Sequence, residues 1–208
     1  SADNSFVKAM YSRIYFQIPI ANVFIKESST ESMDEKGFSA EEQAEISIYR
    51  AEARFLRALS YYHAMDLFGS VPFVDESTPI GVFYPEQISR EDLFIWIESE
   101  LKAIENELME ASQVPYGRAS KAAAQTLLAK MYLNAEVYTS NSKWTECINY
   151  CNKVINDGGF SLDDNYSEIF MADNHTSPEI IFPICFDGQY TQTWGGTTFL
   201  ICAALGST

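Results

Sequence analysis

The distribution of apolar and polar residues predicts helices along most of this chain. The clearest period begins after Ser39, where apolar side chains recur every three or four residues at Ile48, Ala51, Phe55, Leu59, Tyr62 and Met65. This spacing is typical of one face of an amphipathic helix. Ser39 and Glu42 predict a capping box at its start, and Gly69 with Pro72 predicts its end. Additional apolar positions widen this face, so the helix is expected to pack against more than one neighbour.

Comparable periods predict four more helices, over residues 4–27, 89–111, 120–137 and 143–157. Pro19 is expected to kink or divide the first of them, and the polar run 28–38 is predicted to be a connection. The last two helices, joined by a short polar turn, form a hairpin of about 34 residues, as in tetratricopeptide repeats. The predicted fold class is mainly α: a tetratricopeptide-like helical-repeat array with an irregular, strand-containing C-terminal part.

The pattern changes after Phe160, where residues typical of turns become frequent. The apolar run 179–186 (EIIFPICF) is predicted to be a strand, and Pro183 restricts it to a sheet edge or an interruption. The predicted organisation is therefore a helical body over residues 1–160 and the start of an irregular part over 161–208. The second part is expected to be incomplete in this fragment.

The charge of the chain excludes some classes of partner. The formal net charge is −15, with a sequence pI near 4.4. Because phosphate neutralisation by basic residues dominates nucleic-acid affinity, no nucleic-acid partner is predicted. Direct attraction to anionic lipid is disfavoured for the same reason. No run of residues approaches the length needed to cross a bilayer, and no signal peptide is recognised. The chain is interpreted as a fragment of a longer protein.

Residues suited to catalysis or metal binding are sparse. With two histidines, His63 and His175, both acid–base catalysis and zinc binding lose support. Cys147 and Cys151 share a helix face at a spacing that suits neither a disulfide nor a zinc motif, and they are predicted to be small buried side chains. The sequence lacks a phosphate-binding glycine motif. No catalytic residue, metal site or cofactor is predicted, and the protein is not expected to be an enzyme.

The charged residues are interpreted structurally. Paired carboxylates such as Glu98 and Glu100 are typical of a solvated helix face. Four charged residues on or near the central helix are predicted to pair with an opposite charge or to cap a carbonyl across packed helices, rather than to contact a substrate, because an unpaired buried charge is costly; they are Glu52, Arg54, Arg57 and Arg118.

Aromatic residues near the C-terminus suggest a binding surface. Tyr190, Trp194 and Phe199 stand among amide, hydroxyl and glycine residues that include Gln192. Flat aromatic faces beside polar groups suit sugar rings, which have apolar faces and polar edges. Ordinary packing of these aromatics against the helical body is the alternative interpretation. Trp96 and Trp144 lie on helical stripes and are predicted to pack in the core.

Four stretches in order resemble the SusD/RagB family of outer-membrane glycan-binding lipoproteins. They are AEARFLRALSYYHAMDLFGSVPFV at 51–74, GRASKAAAQTLLAKMYLNAEVY at 117–138, the W…C…VI…GGFSL pattern at 144–162, and PEIIFPI after Phe170. LLAKMYLNAEVYT and WGGTTFLI are most similar to the starch-binding branch. Ser70 departs from the family, which often has Asp at this place.

The resemblance implies a helical body that supports an irregular glycan-binding part. It also implies a lipid-anchored position on the outer membrane, with the anchor outside this fragment, and a SusC-like TonB-dependent transporter as partner. The leading hypothesis is non-catalytic capture of a starch-like polysaccharide or oligosaccharide for delivery to that transporter, with Trp194, Tyr190 and Gln192 as candidate glycan contacts. The alternatives are a helical-repeat scaffold that binds protein without a sugar site, and an acidic glycosidase.

Overall fold

The structure is a computed structural model that describes residues 4–79, 81, 84–186 and 188–191. Within these residues the chain is mainly α-helical, as predicted. The helices are α1 (Ser5–Glu27), α2 (Thr30–Glu35), α3 (Ala40–Phe68), α4 (Arg90–Ile104), α5 (Lys121–Leu133), α6 (Ala135–Thr139) and α7 (Trp144–Asp157). Two short strands, β1 (Val71–Pro72) and β2 (Gln87–Ile88), form an antiparallel pair. Two 3-10 helices follow α7, at Tyr166–Phe170 and Asn174–Thr176.

The long helix α3 is the centre of the array. The predicted capping box is confirmed: the backbone N–H of Glu42 donates to Ser39 Oγ, and the N–H of Ser39 donates to Glu42 Oε2. Gly69 ends the helix with a φ of 77°, which suits a residue without a Cβ. Helix α3 packs against α1 and against α4. The expectation that it has more than one neighbour is therefore confirmed.

Helix α1 is one continuous element. Pro19 lies within it and does not divide it, contrary to one of the two predicted effects. The packed side of α1 explains this continuity, because Ile14, Ile18 and Ile25 are buried and the helix lies along α3. Its opposite side also carries exposed apolar residues; these include Phe16, Ile20 and Phe24.

Several element boundaries differ from the prediction. The polar run 28–38 contains the short helix α2, which Ser29 caps and which buries Met33. Helix α4 ends at Ile104, and the predicted helix 120–137 is divided at Asn134 into α5 and α6. The pair of two-residue strands was not predicted, since runs this short carry no detectable period.

Ion pairs join the helices as predicted. Arg57 is 1% exposed and donates to Asn22 on α1, to Glu76, and to Glu100 on α4. Arg54 donates two further hydrogen bonds to Glu100. The Arg57 guanidinium also lies 5.1 Å from the ring centroid of Trp96, which is partly buried against the core as expected. These contacts neutralise the charge that α3 takes into the core.

Helices α5 and α7 form the predicted hairpin, but α7 is rotated relative to the expectation. Trp144 and Cys151, which were expected to be buried, lie with Ile148 and Ile155 on an apolar stripe that faces outward. The side that contacts the body carries Tyr150, which is buried, and Cys147, which is partly buried. The predictions that Trp144 packs in the core and that Cys151 is buried are thus wrong for the part of the chain that the structure describes. Hydrogen bonds from Lys143, Tyr150 and Lys153 to Glu98 and Glu105 hold α7 in this orientation.

The segment 179–186 does not form the predicted strand in the described structure. Pro183 lacks an N–H to donate to a sheet. Instead, Ile181 and Phe182 pack against the helical core, where the ring of Phe182 meets that of Phe55 edge-on at 5.2 Å between centroids. The irregular part therefore shares the core of the helical body over these residues.

Candidate functional site

The three candidate glycan contacts fall at the edge of the described structure. Tyr190 is 85% exposed and lies in a turn in which the N–H of Gly188 donates to the carbonyl of Thr191, at 3.0 Å. Trp194 and Gln192 lie outside the described residues. The position of Tyr190 is compatible with ligand contact, while the grouping of the three residues stays a prediction.

A polar depression lies in the irregular part that follows α7. Its volume is about 400 Å³, and carboxylate, amide and hydroxyl groups dominate its lining, which includes Asp163, Asp164, Glu168, Asp173, Asn174 and Ser177. Asp163 fixes its shape: Oδ2 accepts from Ser177 Oγ at 2.7 Å, and its N–H donates to Glu179 Oε2 at 3.0 Å. The depression therefore presents acceptors and donors in a defined arrangement.

Exposed aromatic residues accompany this depression. Tyr166 and Phe170 lie four residues apart, at the two ends of a single 3-10 helix, with their rings edge-to-face at 5.2 Å between centroids. Glu168, between them in sequence, lines the depression. Aromatic faces beside polar groups suit sugar rings, so this helix is a second candidate surface. The sequence reasoning did not name these residues, although an aromatic pair in a turn-rich segment was the available signal.

A more apolar depression of about 330 Å³ lies between α1 and the chain after β1. Tyr15 donates to the carbonyl of Pro72 at 2.8 Å, and the Asn22 amide donates to that of Val74 at 3.1 Å. Burial raises the pKa of Tyr15, so this phenol remains a neutral donor. These two hydrogen bonds attach α1 to residues 72–74.

The carboxylates on α4 and at its C-terminal end are arranged as charged partners. Burial raises the pKa of Glu100, but hydrogen bonds and charge from Arg54 and Arg57 outweigh this effect and hold its pKa below the ordinary value. The same balance lowers the pKa of Glu98, beside Lys102 and Lys143, and of Glu105, beside Lys153. A glycosidase acid requires the opposite shift. Across residues 4–79, 81, 84–186 and 188–191, no group of three or more His, Cys, Asp or Glu side chains is arranged to hold a metal ion.

Comparison with known proteins identifies the family. A SusD-like family model, described as "Starch-binding associating with outer membrane", matches residues 1–133. The chain belongs to the SusD-like family. The starch-binding protein SusD of Bacteroides thetaiotaomicron is 40% identical over 197 residues, which cover 93% of this chain and 33% of that protein.

Solved structures of SusD-like proteins share the fold. A SusD-like carbohydrate-binding protein from Bacteroides fragilis superposes with a TM-score of 0.76 and 26% identity, over 92% of this chain and 35% of that one. A structure described as containing xylogluco-oligosaccharide gives a TM-score of 0.76 and 23% identity, over 93% of this chain and 38% of that one. These agreements confirm the helical architecture predicted from the sequence.

The chain spans about a third of the length of the curated SusD-like relative that it matches at 40% identity. None of the helices in the described ranges is both long and apolar enough to cross a membrane. What the longer relatives bind and where they act is therefore carried to this protein only as a proposal.

Proposed function

We propose that the full-length protein captures a polysaccharide or oligosaccharide without cleaving it. The observation that carries this proposal is the 40% identity to a starch-binding protein over 93% of the chain, since such similarity extends well beyond a shared fold. A starch-like α-glucan is the preferred ligand class for the same reason. The exposure of Tyr190 and the polar depression with Tyr166 and Phe170 support capture, because both combine aromatic faces with hydrogen-bonding groups.

The two parts of the chain are proposed to have different roles. Residues 1–160 form the supporting helical body, and residues 161–208 begin the part that contacts sugar. Trp194, Tyr190 and Gln192 are the proposed glycan contacts. Stacking on a ring needs an aromatic side chain that keeps one face open, and Tyr190, at 85% exposure, meets this condition.

The proposed setting is the cell surface. The family description refers to association with the outer membrane, and a lipid anchor outside residues 1–208 would hold the protein there. A SusC-like TonB-dependent transporter is the proposed recipient of the glycan. Affinity purification of the full-length protein from solubilised outer membranes is expected to retain a transporter that mass spectrometry identifies as TonB-dependent. Recovery of the protein alone, with its glycan binding intact, would contradict the delivery step.

Affinity electrophoresis tests the capture step. The full-length protein is expected to migrate more slowly in native gels that contain starch than in gels without polysaccharide, relative to an unrelated acidic protein run alongside. Xyloglucan, laminarin and pullulan gels would define the ligand class. Unretarded migration in all of them would reject capture and favour the helical-repeat scaffold. Release of reducing sugar during incubation with a retarding glycan would reject the non-catalytic mechanism instead.

A further inference from the structure

Two exposed aromatic residues, Tyr166 and Phe170, form a pair on the first 3-10 helix after α7. Their side chains are 72% and 70% exposed, and their rings meet at 5.2 Å between centroids. Neither ring belongs to the hydrophobic core of the described residues. This aromatic pair therefore has ring surface open to solvent, which is the condition for stacking on a flat apolar face of a ligand.

Hydrogen bonds connect the aromatic pair to the polar depression beside it. Asn165 Nδ2 donates to Glu168 Oε1 at 3.0 Å, and Asn165 Oδ1 accepts from Ser167 Oγ at 2.7 Å. The Asn174 amide donates to the carbonyl of Ile169 at 3.1 Å, which joins the two 3-10 helices. Because these bonds fix the local backbone, little ordering remains to be done when a ligand binds.

The depression offers hydrogen-bond acceptors that the protein does not use. The carboxylates of Asp164 and Asp173 line it, and within the described part of the chain neither carboxylate forms a hydrogen bond or an ion pair. An ionised carboxylate accepts strong, charge-assisted bonds from hydroxyl donors. A sugar ring has such hydroxyl groups at its edge and an apolar face for an aromatic ring. The surface thus provides both kinds of contact that a sugar ring makes.

The charge of this part of the chain selects among sugars. Residues 154–208 contain no Lys or Arg, and Lys153 is already paired with Glu105. Four carboxylates line the depression: Asp163, Asp164, Glu168 and Asp173. A uronic acid or a sulfated unit would meet these fixed negative charges with no nearby cation from residues 154–208 to neutralise it, and like charges repel. Uncharged hexose units make the hydroxyl contacts without this cost.

We propose that the aromatic pair and the adjoining depression form a second sugar-binding surface, which takes uncharged hexose units and discriminates against anionic glycans. The inference rests on the proposed capture of glycan and adds to the contacts proposed for Trp194, Tyr190 and Gln192. The residues that line the depression all lie between 161 and 178, so Tyr190 is not one of them. Two surfaces on one chain hold a polysaccharide more tightly than a short oligosaccharide, because the second contact forms at a high effective concentration.

Counting bound sugar tests the second surface. In equilibrium dialysis with maltotriose, the full-length protein is expected to bind two molecules at saturation, and Tyr166→Ala/Phe170→Ala is expected to bind one. Met171→Ala is the matched control and should retain both, since Met171 is exposed and apolar but has no ring and does not line the depression. In starch gels the double variant is expected to lose at least about tenfold in affinity.

Urea denaturation of each variant checks its fold, and the single Phe170→Ala variant replaces the double variant if the latter is destabilised. One bound maltotriose in the parent, lost in Trp194→Ala and kept in the double variant, would overturn the second surface and leave capture intact. No bound maltotriose in any of these proteins would reject capture and this inference together.

Carboxymethylated maltotriose tests the selection by charge. The parent is expected to bind it at least about tenfold more weakly than maltotriose, and Asp164→Asn/Asp173→Asn is expected to narrow that difference. Equal affinity of the parent for the charged and the uncharged trisaccharide would overturn the restriction to uncharged units.

Discussion

Arg118 and Glu52 form a two-point ion pair that ties the turn before α5 to the middle of α3. Arg118 Nε donates to Glu52 Oε2 at 2.9 Å, and Nη2 donates to Oε1 at 2.7 Å. The guanidinium also covers the ring of Tyr49, at 4.6 Å from its centroid. A planar fork makes both contacts at once, whereas a lysine ammonium cannot.

Arg118→Lys is therefore expected to lower the free energy of unfolding by about 1 kcal/mol, because the pair is only partly shielded from water. The measurement is urea denaturation. The exposed pair of Lys36 with Glu27 supplies the control, where Lys36→Arg is expected to change stability by less than about 0.5 kcal/mol. Equal effects of the two substitutions would contradict the role assigned to the Arg118 fork.

Arg57→Met should be much more costly. Loss of the Arg57 guanidinium removes the buried donor to Glu76 and Asn22. It also removes one of the two arginine partners of Glu100. A loss of about 3 kcal/mol is expected, at the low end for a broken buried pair because Arg54 still contacts Glu100. Denaturation of the Arg57→Met and Arg57→Met/Glu100→Gln proteins provides the check. A single substitution that leaves stability within about 0.5 kcal/mol of the parent would show that the network is not structural.

The capping box of α3 predicts a smaller effect. Ser39→Ala removes the side-chain acceptor for the N–H of Glu42, with an expected cost of about 1 kcal/mol. Ser47→Ala on the same helix is the matched control, since Ser47 Oγ donates only to the carbonyl of Gln43, which is already within the helix. Its expected effect is below about 0.5 kcal/mol. A larger loss at Ser47 than at Ser39, in thermal or urea unfolding, would contradict the assignment.

Stability is expected to fall in acid. The folded-state pKa values of Glu98, Glu100 and Glu105 lie below their ordinary value of 4.5. A depressed carboxyl pKa means that the unfolded chain binds protons more readily than the folded protein. The stabilisation is therefore fully present above pH 4.5 and is lost as pH falls through the folded-state pKa values. Urea denaturation between pH 3 and pH 7 measures it, with Glu98→Gln expected to reduce the slope on the acid side. An unchanged slope in that variant would count against the contribution of Glu98.

The positions of the helices could be predicted from the sequence more reliably than the neighbours against which each helix packs. Ser39 caps its helix as expected, and Ser89 and Ser120 cap α4 and α5 at the predicted starts of those helices, because a cap and the turn that follows it lie within a few residues. Trp144 shows where this reasoning fails. A periodic stripe indicates that one face of a helix is apolar, but it does not identify the neighbour that covers it. In α7 the charged contacts of Lys143 and Lys153 decide which side meets the body.

The candidate site could be predicted only in part. The family resemblance carried the expectation of sugar binding, which family membership now supports as a proposal. Individual contacts depend on how turns fold in three dimensions. The rings of Tyr166 and Phe170 meet at a 3-10 helix beside a polar depression, although no period in the surrounding segment marks them. Tyr190 is exposed as its proposed role requires, and Trp194 and Gln192 remain predictions from composition.

The central claim, that aromatic residues of the irregular part hold the sugar, is tested by isothermal titration of the full-length protein with a starch oligosaccharide. Trp194→Ala is expected to weaken binding by on the order of 1–3 kcal/mol, by analogy with other aromatic stacking platforms, without changing the unfolding transition. Tyr84→Ala, at an exposed aromatic before β2, is the matched control and is expected to leave the affinity unchanged. Unchanged affinity in Trp194→Ala, in a protein that binds the oligosaccharide, would contradict the account.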